Sequence, residues 1–65
     1  MIEVTEYSGG TMFLNVNNIV YIEQQIRDCK IALTNNETLM VMENYTEIIN
    51  KIDEKITELK RLTIL

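Results

Sequence analysis

The stretch ALTNNETLMVMENYTEIINKI, Ala32 to Ile52, decides the fold. Its first third is the end of a β-branched and apolar run that stops at Asn35-Asn36. Asparagine is the best substitute for glycine at left-handed backbone positions, so this pair predicts a two-residue hairpin turn. Thr38 to Met42 then reads as the return strand. After Met42 the apolar period changes from two to 3.6. Tyr45, Ile48, Ile49, Ile52, Ile56 and Leu59 form one stripe at helical spacing. Asn44 is a suitable N-cap, and Glu47 stands three residues later to complete a capping box. Glu47 and Lys51 are a favourably oriented i,i+4 pair. The stretch therefore predicts strand, turn, strand, cap and helix, the helix running from Tyr45 to about Leu62.

Upstream, Ile2-Glu3-Val4-Thr5-Glu6-Tyr7 alternates apolar and polar, as a half-buried strand does. Ser8-Gly9-Gly10 supplies the positive φ of a tight hairpin, and Thr11 to Asn15 is the return strand. Asn15-Val16-Asn17-Asn18 predicts a helical turn or bend. Ile19 to Glu23 is a third strand, Gln24 to Asp28 a turn, and Cys29 to Thr34 a fourth strand. The fold class is α+β: a small curled antiparallel sheet of about five strands over residues 1–43, then one C-terminal helix over residues 44–65, in a single domain.

Two features point beyond a self-contained fold. A helix of eighteen residues spans roughly 27 Å, whereas a six-residue strand spans about 20 Å. The helix is expected to outrun the sheet, and the overhang carries Leu62, Ile64 and Leu65. It either frays or meets another chain. Ile19 to Ile22 and Leu39 to Met42 are apolar on both faces, yet one helix covers one face. Either the sheet curls around its own interior, or its second face meets a partner. Met40 and Met42 are candidates for that contact, since methionine-rich surfaces adapt to partners, or else they are plain core. Met40, Met42, Leu62, Ile64 and Leu65 are thus the candidate partner-contact residues.

Composition narrows the chemistry. The chain has 65 residues, no histidine, no proline and a formal net charge of −4. Residues 1–44 hold six acids (Glu3, Glu6, Glu23, Asp28, Glu37, Glu43) against two bases (Arg27, Lys30), so the sheet carries the whole net charge. That argues against a phosphate-binding surface there. Without histidine there is no His-based nucleophile or acid–base pair. Cys29, the single cysteine, starts an apolar strand and reads as a small buried hydrophobe. No disulfide follows, and a zinc site lacks ligands. Gly9-Gly10 lacks the lysine and following helix of a phosphate loop. No apolar run is long enough to span a membrane, and Met1-Ile2-Glu3-Val4 does not open like a signal peptide. These features predict a non-enzymatic, cytoplasmic binding protein with no cofactor.

The order of elements resembles the FlbD (SwrD) family of small flagellar proteins. The resemblance rests on Met1-Ile2-Glu3-Val4-Thr5, on Gly9-Gly10 followed by Phe13-Leu14-Asn15, and on Ile19-Val20-Tyr21-Ile22-Glu23. It continues through Ile31-Ala32-Leu33-Thr34-Asn35-Asn36 and the acidic step Glu43-Asn44-Tyr45-Thr46-Glu47 into the helix. Departures are Val16 where the family has proline, Gln25-Ile26-Arg27-Asp28 in place of a Pro-Asp-Thr turn, and Asn35-Asn36 for Asn-Gly. The resemblance implies an accessory role in flagellar motor power or swarming, near the stator, with no catalytic residue. Self-association is expected through the helix end or the exposed sheet face, and the departures leave open an unassigned self-associating module from a non-motile host or mobile element. Asn18 to Glu23, followed by a hairpin and a helix, is also similar to the core of LytTR-type DNA-binding domains. Those hold phosphates with basic loops, and here the loops offer only Arg27 and Lys30 amid acids.

Overall fold

In the computed structural model the chain forms β1 (Ile2–Thr5), β2 (Thr11–Leu14), a 3-10 turn (Val16–Asn18), β3 (Ile19–Gln24), β4 (Cys29–Leu33), β5 (Thr38–Val41) and α1 (Tyr45–Ile64). The structure describes the backbone of residues 1–64 and the side chains of residues 1–56. All strand pairs are antiparallel. β1 pairs with β2, and β3, β4 and β5 form a second ladder in that order. The expected single sheet is thus two ladders, joined by a bridge between Glu6 and Val41. Two backbone bonds flank the bridge: Tyr7 N–H donates to the Met40 oxygen at 2.9 Å and Met42 N–H to the Thr5 oxygen at 2.8 Å. Hydrogen bonding runs β2-β1-β5-β4-β3, and β2 and β3 are the edges.

Alternation decides which side chains meet. Ile2 opposes Leu14 and Val4 opposes Met12. Ile22, Ile31 and Leu39 lie in one row, and Cys29 opposes Val41. These residues from both ladders share one core with Ile48 of the helix. Ile31, Val4, Val41, Cys29 and Ile48 are completely buried. Each large aliphatic buried this way contributes about 1.5–3 kcal/mol. The two ladders therefore wrap one interior, as the sequence suggests.

Both glycine and asparagine turns use the same geometry. Gly9 N–H donates to the Glu6 oxygen at 2.8 Å, and Glu6 N–H to the Gly10 oxygen at 2.7 Å. Asn36 N–H likewise donates to the Leu33 oxygen at 3.1 Å, and Leu33 N–H to the Glu37 oxygen at 2.9 Å. Each is a three-residue loop whose last residue has positive φ, 111° at Gly9 and 66° at Asn36. The expected two-residue turn at Asn35-Asn36 is therefore a three-residue loop, Thr34-Asn35-Asn36. The reason is backbone cost. A two-residue type I′ turn needs φ > 0 at both central positions, whereas this loop needs it once. Asn35 is used differently: its Oδ1 accepts the Glu37 N–H at 3.1 Å.

The helix starts where the sequence places it. Asn44 Oδ1 accepts the Glu47 N–H at 2.9 Å, the forward half of the expected capping box. Its backbone extends to Ile64 and covers 20 residues, about 30 Å. The apolar stripe is used unevenly. Ile48 is fully buried and Ile52 packs on the core, but Tyr45 is 46% and Ile56 43% exposed. Among the described residues the core therefore holds the helix mainly through its first two turns. The expected Glu47–Lys51 pair is replaced by another. Lys51 Nζ donates to the Glu3 backbone oxygen at 2.6 Å and lies 3.5 Å from Glu43 Oε2. Glu43 is the more deeply set carboxylate, fixed by backbone donation, and exposed Glu47 offers nothing comparable.

Candidate interaction surface

The inner face of the sheet is filled, and the outer face is not. Register places Lys30 opposite both Glu23 and Met40, and Tyr7 beside Met40 through the bond from its N–H. Glu23, Lys30, Met40 and Tyr7 form one outward row. Tyr21, Ala32 and Thr38 form the next. Met42 lies two residues beyond Met40 on the same face, beside Thr5. On β2, Phe13 opposes Glu3 and also points outward.

Both methionines singled out from sequence thus lie on this face, Met40 half-buried and Met42 59% exposed. The side chains of Leu62 and Ile64, the residue Leu65, and the Leu59 end of the stripe lie outside the described residues. The surface also holds residues not named as contacts from the sequence, of which Val20 and Tyr21 belong to the two-faced run Ile19 to Ile22. Tyr7 is 50%, Phe13 63%, Val20 60% and Tyr21 48% exposed. A signal for them was available: each stands at an outward position of its strand or turn and is apolar or aromatic. Ala32 is the small residue between larger neighbours, and over it opens a depression of about 240 Å³. Val20, Tyr21, Thr38 and Glu37 line it. A bulge between Ile19 and Tyr21 inserts Val20 at its rim.

Polar side chains lock the frame behind this face. Glu43, just before the helix cap, accepts the Thr5 N–H with both oxygens, at 2.8 and 3.0 Å. Its side chain is 11% exposed. Burial, the largest single influence, pushes its carboxyl up. Hydrogen bonding from the Thr5 amide, its own amide and the Thr5 hydroxyl, with the charge of Lys51, outweighs burial and holds the group below the ordinary glutamate value. Gln24 ties three segments together. Its Nε2 donates to the oxygens of Gln25 at 2.8 Å and Asp28 at 3.2 Å. Its Oε1 accepts the Tyr45 N–H at 2.7 Å. One amide thus closes the β3–β4 turn and satisfies a free donor of the first helical turn.

Cys29 is completely buried, and burial, then the charge of Asp28, raises its thiol pKa. It is the small buried hydrophobe that the sequence suggests, and its thiolate form is disfavoured. Among the described residues no cluster of three or more His, Cys, Asp or Glu side chains could hold a metal ion. Among the described residues no helix is long and apolar enough to cross a membrane.

Comparison with known proteins agrees with this outline. The family model described as flagellar and swarming motility proteins matches residues 1–60. Searches of curated proteins and of solved structures found no match. The match takes in all five strands and most of the helix, so the chain belongs to the FlbD family of flagellar and swarming motility proteins.

Proposed function

We propose that this protein is a non-catalytic adaptor in flagellar motor function or swarming, which self-associates and presents the outer face of its sheet to a component of the motor or stator. The observation that carries the reading is the uncovered face itself. Tyr7, Phe13, Val20, Tyr21 and Met42 are each about half exposed or more, on the side of the sheet opposite the core that holds Ile48 of the helix. Isolated exposed apolar residues are ordinary, but a set on one face of a small sheet marks a contact surface. Absence of catalysis is supported by the lack of histidine and by the burial of the one thiol. The acidic sheet supports a protein partner over nucleic acid, because phosphate contacts supply most non-specific DNA affinity.

The test is complementation. A motile strain lacking this protein is given the wild-type chain or the Met42→Glu or Phe13→Glu variant. Both variants are expected to accumulate and fold normally, because neither side chain belongs to the core, and to fail to restore motor torque or swarming. Full motility with both would reject the outer face as the working surface. Salt-sensitive retention of duplex DNA by the purified protein would instead favour a DNA-binding role.

A further inference from the structure

The outermost strand β3 offers more than side chains. It is the longest strand, six residues, and one of the two edges of the bonded order. The direction of its backbone groups follows from its neighbours. Leu33 N–H donates toward the β5 side, to Glu37, while Thr34 N–H donates toward the β3 side, to Asn18. Alternation then turns Ala32 and Lys30 toward β3, where they meet Tyr21 and Glu23. Gln25 N–H, donating to Asp28, continues the same phase. The N–H and C=O of Ile22 and Gln24 therefore face away from the sheet. Edges like this are commonly guarded by lysine, proline or a bulge. The bulge at Val20 guards the first half of β3. Tyr21 to Gln24 contains neither lysine nor proline.

We infer that β3 pairs antiparallel with β3 of a second copy of this chain, about a two-fold axis at Ile22, joining two sheets into one. The inference rests on the self-association part of the function proposed above. This register keeps outward residues on the outer face, because paired residues in an antiparallel ladder share a side. Ile22 of one copy exchanges both backbone bonds with Ile22 of the other. Tyr21 stands opposite Glu23 of the second copy, and Lys30 supplies the charge complement. Its Nζ lies over the Tyr21 ring, 5.9 Å from the centroid. Glu23 of each copy therefore arrives beside the Lys30 of the other, twice by symmetry. The two 240 Å³ depressions, each rimmed by Val20 and Tyr21, then flank the axis on one continuous outer surface.

The full chain tests this by two measurements. Sedimentation over a concentration series reads the dimer, and residue-resolved amide exchange reads its register. Exchange at the Ile22 amide should slow as concentration rises. The Tyr21 and Glu23 amides, already bonded to β4, should hardly change. Glu23→Lys sets like charges together at two symmetric places and should weaken the dimer about tenfold. The double swap Glu23→Lys with Lys30→Glu should restore it. A monomer at about 1 mM would overturn the inference, as would a dimer in which Ile22 exchange is unaltered or the swap does not rescue. These failures are distinct from failure of the adaptor role, which motility complementation reads separately.

Discussion

Replacing Glu43 by alanine removes the acceptor that both closes β1 and seats the helix. Thr5 N–H gives its hydrogen to the two Glu43 oxygens, and the half-buried Thr5 backbone is left without that partner. A hydrogen bond to a charged group is worth about 1.5–3 kcal/mol. The Lys51 contact adds little, about 0–1 kcal/mol, because Lys51 is 36% exposed and its partner lies 3.5 Å away. The expected loss is about 2–3 kcal/mol, against a total of about 3–10 kcal/mol for a domain of this size. Urea unfolding followed by circular dichroism should show the midpoint falling by about 2–3 M, for a slope near 1 kcal/mol per molar. Glu43→Gln keeps one acceptor and loses the charge, so it should cost about 1 kcal/mol. It also separates the pH effect. The folded carboxyl titrates below its unfolded value, so the folded state binds fewer protons in that window. The stabilisation is full above the unfolded value and is lost as pH falls through the folded one. Glu43→Gln should therefore be less acid-sensitive than wild type over that window. An alanine variant with a midpoint within about 0.3 M of wild type, or a glutamine variant with unchanged acid sensitivity, would falsify the assignment.

Three further outcomes are expected. Gln24→Ala should cost about 1–2 kcal/mol by freeing the Tyr45 N–H and loosening the β3–β4 turn, and faster amide exchange at Tyr45 would locate the damage. Gly9→Ala should cost about 1–2 kcal/mol although nothing lies within 4 Å of the added carbon, because φ is +111°; Gly10→Ala, whose nearest neighbour is a Glu6 oxygen at 4.0 Å, should be near neutral, and thermal melts of the two variants compare them directly. Cys29 should resist thiol reagents in the folded protein and react only on unfolding, since it is buried with a raised pKa; rapid labelling under native conditions would contradict its placement.

Legibility in the sequence follows the range of the interaction. The strands are legible because alternation in Ile2 to Thr5 and the β-branched run from Ile19 are local patterns. The helix start is legible because Asn44 caps within its own turn. The turn at Asn35-Asn36 is half legible: composition marks the bend, but loop length depends on which residue takes the positive φ. That Met40 and Met42 share a face is legible, because they stand two residues apart on a strand; which face it is depends on the core. The roles of Glu43, Gln24 and Lys51 are not legible. Their decisive bonds reach across 38, 21 and 48 residues, and no periodicity encodes a side chain meeting a distant backbone group. The substitution of Glu43 for Glu47 as the lysine's partner has the same origin.

Those three long-range contacts share a location, and it bears on function. They fasten the segment from Glu43 to Lys51 to Glu3 and Thr5 of β1 and to Gln24 at the end of β3. Over the same two turns Ile48 is buried against the inner face and Ile52, partly buried, packs on the core. The described part of the helix is thereby committed to one side of the sheet by polar bonds as well as packing. A second layer over Phe13, Tyr7, Val20 and Met42 would have to come from outside the described residues. The energetics favour such a cover, because fully burying an exposed apolar side chain gains about 1.5–3 kcal/mol, and these, about half exposed, would gain roughly half of that. A sheet locked on one side and open on the other is well suited to serve as one half of an interface. In a family of motility proteins, the outer face is the first place to test for a partner.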